Sequence, residues 1–216
     1  MLPIPHQKIE DLLVSNLPRE LVLGVEEAMF VGAQRGYAST RTMAPGHRSS
    51  ALGQQRHFHM NETFHQTLVA NEVQPTQLSG NRLVTGRSGM LMLGRFNMTD
   101  ADWMKGSRSV TRKQLSKVNE ALTSCLRPDF FNEPVITTDI TVFFVSRFSR
   151  ALDDSAATPE SIYIAVPDKN LQSWLFREPL AAFLKRYDQQ PVQHDLAQPK
   201  LKKDIARRQD KNGTTS

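Results

Sequence analysis

Three of the six histidines in this 216-residue chain fall in one short stretch, between His57 and His65. Imidazole titrates near neutral pH and serves as an acid, a base or a metal ligand, so this cluster marks a candidate site. On a helix, His57, Asn61 and His65 share one face, and Glu62 borders it. One interpretation of this pattern is a pocket in which His57, Glu62 and His65 take acid–base or ligand roles toward a phosphate-containing substrate.

The same histidines also fit structural or recognition roles. The apolar sector of the helix contains Phe58, Phe64 and Leu68. It lies on the same side as His57, Asn61 and His65, which we call the histidine stripe. A buried polar group without a partner costs about 1–3 kcal/mol, so these side chains must find hydrogen bonds in the core or line a cleft. No metal site is predicted, because His57 and His65 lie about 12 Å apart along a helix.

Positive charge is concentrated in the middle of the chain. Residues 28–119 carry twelve Lys/Arg and four Asp/Glu, a net charge of +8 in a chain whose total is +5. Such a concentration indicates a polyanionic partner. We therefore predict a nucleic-acid-binding protein whose basic central surface contacts the phosphate backbone. The predicted contact residues are Arg41, Arg48, Arg56, Arg87, Arg95, Arg108, Arg112, Lys113 and Lys117.

Two alternatives from other functional classes stay open. A phosphate-substrate hydrolase or nuclease would use the histidine cluster, and a protein–protein adaptor would set the basic face against an acidic partner protein. The paired carboxylates and lysine of a metal-dependent nuclease are missing from the predicted strands. The glycine-rich segment 86–89 has neither a Walker nor a dinucleotide-binding layout, so the sequence leaves the cofactor unknown.

Several absences in the sequence bear on the compartment. Cys125 is the only cysteine, so an intrachain disulfide and a cysteine-based zinc site are both excluded. No run approaches eighteen apolar residues, and residues 1–8 lack the layout of a signal peptide. We expect a cytoplasmic protein with no membrane partner.

The periodicity of apolar residues predicts a single α+β domain over residues 1–190, followed by a flexible basic tail over 191–216. N-terminal helices are expected to pack on a mixed, largely buried β-sheet, with further helices near the C-terminus. The predicted helices span 7–16, 18–34, 50–71, 110–126, 168–176 and 179–187, and the predicted strands span 82–85, 90–98, 135–148 and 162–166.

Turn-forming residues set the expected connections between these elements. Gly36 is a plausible stop for the second helix, and residues 37–50 have the composition of an exposed basic loop. Segment 86–89 predicts the turn of a β-hairpin. Asp168 is expected to cap the short helix that follows it.

Overall fold

A computed structural model of the protein describes residues 6–99, 108–122 and 139–188. Its helices are α1 (His6–Asn16), α2 (Arg19–Thr40), α3 (Pro45–Ala70), α4 (Val110–Ser116) and α5 (Leu180–Leu184). Its strands are β1 (Thr85–Ser88), β2 (Leu91–Thr99), β3 (Ile140–Phe148), β4 (Ser161–Pro167) and β5 (Trp174–Pro179). Short 3-10 segments occupy Lys117–Asn119, Asp154–Ala157 and Lys185–Asp188. The predicted α+β class is confirmed.

The five strands form one mixed sheet in the order β1-β2-β3-β4-β5. The β2–β3 pair is parallel, and the other three pairs are antiparallel. Strand β3 is buried on both faces, as its apolar run predicts. Alternate residues Val142 and Phe144 join the core shared with the N-terminal helices, while Phe143 and Val145 join a smaller core on the other face. Leu115 of α4 packs against that smaller core.

Helices α2 and α3 form a closely packed hairpin, which corrects the prediction that Gly36 stops the second helix. A Cβ added at Gly36 would lie 2.7 Å from the Cα of Arg56, and one at Gly32 would lie 2.6 Å from the Cα of Met60. These glycines let the backbones of α2 and α3 approach closely. Gly36 therefore serves helix packing and does not end α2, which continues to Thr40. The predicted loop over 37–50 is therefore wrong, since α3 already begins at Pro45.

The helix predicted over 168–176 is also wrong. The carboxylate of Asp168 accepts hydrogen bonds from the backbone N–H groups of Gln172 and Ser173, at 2.6 and 3.1 Å. With Leu171 at a φ of 55°, this closes a tight turn instead of starting a helix. The chain then returns as β5 and pairs with β4.

Smaller differences concern β1, α4 and the termini. Residues 86–88 belong to β1, and the hairpin turns at Gly89, whose φ is 55°. The helix predicted over 110–126 changes to 3-10 geometry at Lys117, and helical residues follow to 122. Its remainder, residues 135–138 of the predicted strand and the predicted tail over 191–216 lie outside the described residues. No helix in the described part of the chain is long and apolar enough to cross a membrane.

Candidate functional site

A polar pocket of about 290 Å³ opens beside β2, just beyond the last residue of β2 that pairs with β1. Thr85, the first residue of β1, pairs with Gly94, so β2 continues past its neighbour from Arg95 onward. Helix α3, the segment before β1, strand β2 and the start of α4 all contribute to the wall. Its polar side chains include those of His57, Asn81, Arg95, Asn97, Ser109 and Arg112.

Arg95 is fully buried, with a relative exposure of 0%. Its Nε donates to the Oδ1 of Asn61, its Nη1 to the Oδ1 of Asn97 and its Nη2 to the carbonyl of His57, each at 3.0 Å. Burial, with a smaller contribution from the charge of Arg112, lowers the pKa of Arg95 to about 9. Because this pKa lies above 7, the guanidinium remains charged at neutral pH. No carboxylate within residues 6–99, 108–122 and 139–188 forms an ion pair with it.

Arg112 provides a second guanidinium at the same pocket. Its guanidinium carbon lies 4.4 Å from the centroid of the Phe96 ring, a cation–π contact that orients the side chain. Phe96 in turn stacks on Trp174, with ring centroids 6.4 Å apart. Burial lowers the pKa of Arg112. Its guanidinium donates no hydrogen bond to any residue that the structure describes, so its N–H groups remain available to a ligand.

Two contacts fix the segment that carries Arg112 against the sheet. The side-chain amide of Asn119 donates to the carbonyls of Thr141 and Pro167, and its oxygen accepts from the backbone N–H of Thr141 at 2.7 Å. Lys169 Nζ lies 2.7 Å from a carboxylate oxygen of Glu120. Asn119 is completely buried, so these hydrogen bonds tie the end of the α4 segment to β3 and β4.

His57 is half-buried in the pocket wall and stays neutral near pH 7. Its pKa is lowered, first by burial and then by the positive charges of Arg95 and Arg112, while a hydrogen bond with the backbone of Asn81 acts in the opposite direction. Its Nδ1 lies 3.3 Å from Nη2 of Arg95, and its Nε2 lies 3.2 Å from Nδ2 of Asn61. A neutral imidazole leaves two positive charges at this pocket, from Arg95 and Arg112.

Substituting His57 by glutamine should flatten the acid dependence of stability. A pKa lowered below the ordinary value of about 6.5 means that the unfolded state binds more protons in this range. The free energy of unfolding of the wild type therefore falls as the pH drops through about 6.5 toward the folded-state pKa of His57. Urea unfolding at successive pH values tests this. His47→Gln is the control, because it removes an exposed imidazole that lies outside the pocket lining. An identical fall in H57Q and wild type would contradict this assignment.

The predicted catalytic trio does not meet at this pocket. Glu62 lines a different pocket, together with Phe58 and His59, and its Oε2 lies 3.3 Å from Nδ1 of His59. His65 lies two turns beyond His57 on α3 and is partly exposed. Among the residues with described coordinates, no group of three His, Cys, Asp or Glu side chains could hold a metal ion. Of the trio, the structure places His57 beside the two arginines.

Arg56 points inward, although it is one of the predicted contact residues. Its side chain is 6% exposed, its guanidinium carbon lies 3.9 Å above the Phe148 ring, and its Nη2 donates to the carbonyl of Ala156. Burial lowers the pKa of Arg56 to about 10. Because α3 packs on α2 at this turn, Arg56 and Met60 belong to the buried face and Phe58 is partly exposed. Arg56 is therefore held against Phe148 and Ala156, and it does not line the pocket beside β2.

Three other predicted contact residues lie apart from the pocket lining. Arg48 donates from Nη2 to the hydroxyl of Tyr37 at 2.9 Å, and that hydroxyl donates to Asp154. Arg87 pairs with Asp139 in an exposed salt bridge. Arg41 is exposed where α2 ends. In the wild-type fold, Arg48 and Arg87 are thus engaged with neighbouring side chains.

The remaining predicted contact residues surround α4. Arg108, Lys113 and Lys117 are exposed on the segment whose Ser109, Thr111 and Arg112 line the pocket. The structure therefore brings Arg95 and Arg112 together in one recess and places three further exposed cations on the α4 segment beside it. Asn61, Phe96, Asn97 and Ser109 complete the site. Asn61 was predicted to share a helix face with His57, whereas Phe96, Asn97 and Ser109 were not predicted. Strand alternation could have predicted that Arg95 points inward, because Leu91, Leu93 and Arg95 fall on one face of β2.

Two guanidinium groups, a neutral imidazole and amide and hydroxyl donors form a site suited to an anion. The chain matches no protein-family model, no curated protein and no solved structure. Any functional conclusion must therefore come from the geometry of this site and from the charge around it.

Proposed function

We propose that this protein binds nucleic acid through its phosphate groups, with one phosphate held between Arg95 and Arg112. The observation that carries this proposal is the fully buried guanidinium of Arg95, which lies in a pocket wall beside a second guanidinium and without a carboxylate partner in the described chain. Desolvating a charge costs several kcal/mol unless an opposite charge compensates it. A bound phosphate supplies that charge, and its oxygens match the planar donor geometry of arginine.

The surface next to the pocket favours a polyanion. Residues 108–119 include Arg108, Arg112, Lys113 and Lys117 and no acidic residue. Since Arg108, Lys113 and Lys117 are exposed, they can follow a phosphate backbone that has one group anchored in the pocket. An intracellular location fits such a partner.

The alternatives have less support from the geometry. A hydrolase built on His57, Glu62 and His65 needs these side chains at one substrate, yet His57 and Glu62 line different pockets. An adaptor could place a partner's carboxylate on Arg112, since carboxylates also suit guanidinium groups. The adaptor hypothesis predicts a protein partner that is retained after nuclease digestion, whereas the nucleic-acid hypothesis predicts its loss.

The salt dependence of DNA binding tests the proposed role of the α4 cations. For a short duplex followed by fluorescence anisotropy, the logarithm of the association constant should fall linearly with the logarithm of salt concentration. Lys113→Gln and Lys117→Gln should each reduce the magnitude of that slope by about 0.9, because each removes one phosphate contact. Lys185→Gln, an exposed charge change near the C-terminal end of the described chain, should leave the slope unchanged.

Two results would overturn the proposed function. One is the absence of binding to both duplex and single-stranded DNA at about 50 mM salt, where backbone contacts are strongest. The other is binding that is insensitive to salt, because a phosphate-backbone interface must release counterions.

A further inference from the structure

We infer that the pocket takes a terminal phosphate monoester, a group with three free oxygens, and excludes an internal phosphodiester of a strand. This inference rests on the proposed function and deepens it, since it states which phosphate of a ligand enters the pocket. The exposed cations of α4 would contact internal phosphates, while Arg95 and Arg112 would bind the end of the strand.

The charge of the pocket matches a monoester. Arg95 and Arg112 supply two positive charges, and His57 is neutral near pH 7. A phosphate monoester carries a charge of about −1.5 to −2 at pH 7. An internal phosphodiester carries a single negative charge, so it would leave one guanidinium uncompensated in a partly desolvated site.

The depth and the size of the pocket also favour an end group. Arg95 lines the recess without any exposed surface, so its charge lies behind the wall and an anion must enter the recess to approach it. An internal phosphate carries a nucleoside on each side, so it brings more bulk to the recess than a terminal phosphate does. A volume of about 290 Å³ falls near the lower end of the range for ligand pockets. It corresponds to about ten water molecules at roughly 30 Å³ each, which is enough for a phosphate and part of a sugar.

The hydrogen-bond donors are sufficient for three oxygens. A guanidinium has five N–H groups, and those of Arg95 are directed to Asn61, Asn97 and His57 except for one on Nη1. All five of Arg112 are uncommitted within the described chain. The hydroxyl of Ser109 is a further donor in the lining. Arg112 and Ser109 therefore supply the accessible hydrogen-bond donors, and Arg95 supplies buried positive charge.

The test compares short single-stranded oligonucleotides of one sequence that carry a 5′-phosphate, a 3′-phosphate or only hydroxyl ends. In fluorescence anisotropy with the full chain, one of the phosphorylated strands should bind at least about tenfold more tightly than the hydroxyl strand, since a charged hydrogen bond contributes about 1.5–3 kcal/mol. Arg112→Gln should abolish this preference. Lys113→Gln should weaken the binding of all three strands and leave their ratio unchanged. A mononucleotide and glycerol phosphate, added as competitors, show whether the phosphate alone is enough.

Each outcome separates this inference from the proposed function. Equal binding of all three strands would overturn the inference while leaving nucleic-acid binding intact. A preference that survives Arg112→Gln would also overturn it, because the end group would then bind elsewhere. If no strand binds but the mononucleotide binds and loses affinity in Arg112→Gln, nucleic-acid binding is wrong and the monoester site stands.

Discussion

Substitution of Gly36 by leucine should lower the free energy of unfolding by about 3 kcal/mol or more, the upper end of the usual cost of overpacking. A Cβ at this position would lie 2.7 Å from the Cα and 2.8 Å from the backbone nitrogen of Arg56. Neither atom can move without a shift of α3, and a longer side chain increases the conflict. Urea unfolding followed by circular dichroism measures the change.

A matched glycine in the same helical hairpin provides the control. A Cβ at Gly53 of α3 would meet nothing within 4 Å. Because alanine favours a helix over glycine, Gly53→Ala should raise the free energy of unfolding by about 0.5–1 kcal/mol. If Gly36→Leu were as stable as the wild type, the close packing of α2 on α3 would be wrong. Gly53→Ala should therefore be more stable than the wild type, and Gly36→Leu should be less stable.

Replacement of Arg112 by glutamine should weaken the binding of inorganic phosphate at least about tenfold, because a hydrogen bond to a charged group contributes about 1.5–3 kcal/mol. The guanidinium of Arg112 donates no hydrogen bond to a described residue, so its donors are available to phosphate. The substitution removes these donors and one positive charge. Isothermal titration calorimetry with sodium phosphate at constant ionic strength measures the affinity. Lys185→Gln makes the same change of charge outside the pocket lining and should bind as the wild type does.

Thermal unfolding gives an independent check of the same prediction. A ligand that binds only the native state raises the melting temperature, and at a free ligand concentration c the stabilisation grows as RT ln(1 + c/Kd). Phosphate should therefore raise the melting temperature of the wild type and of Lys185→Gln, and it should have little effect on Arg112→Gln. Equal shifts in all three proteins would place the anion outside this pocket.

The central strands were predictable because their apolar runs indicate a strand without knowledge of distant contacts. The apolar runs 140–145 and 162–166 have buried residues on both faces, and both are strands of the sheet. Strand β5 was not predictable in the same way. Its residues from Trp174 to Pro179 are mixed in polarity and mostly only partly buried, and Asp168 before it resembles a helix cap. The side-chain hydrogen bonds of Asp168 instead favour a turn.

The orientation of α3 could not be obtained from its own sequence. Apolar residues occur around much of the helix, so an angular plot centred on Phe58 and Phe64 gives a reasonable but rotated inner face. The observed orientation depends on Gly32 and Gly36 of α2, which admit the α3 backbone at Met60 and Arg56. This tertiary contact buries Arg56 and leaves the histidine stripe at the border of the core.

The pocket itself required the tertiary structure. His57, Asn81, Arg95 and Arg112 come from four separate segments, and no motif spacing connects them. Their residue types were still informative, since His57, Arg95 and Arg112 all belong to the predicted site residues. They meet because β1 pairs with β2 only as far as Gly94. The edge of β2 from Arg95 onward therefore lines a pocket together with the start of α4.

The proposed function requires above all that phosphate binds between Arg95 and Arg112. Side-chain NMR can follow the Nε–H resonances of both arginines in the 216-residue chain during a titration with inorganic phosphate, with sodium chloride of equal ionic strength as the control. Both resonances should shift with phosphate, saturate with a single dissociation constant and respond little to chloride. If saturating phosphate leaves both resonances unchanged, or moves those of exposed arginines such as Arg41 alone, the proposed site is contradicted.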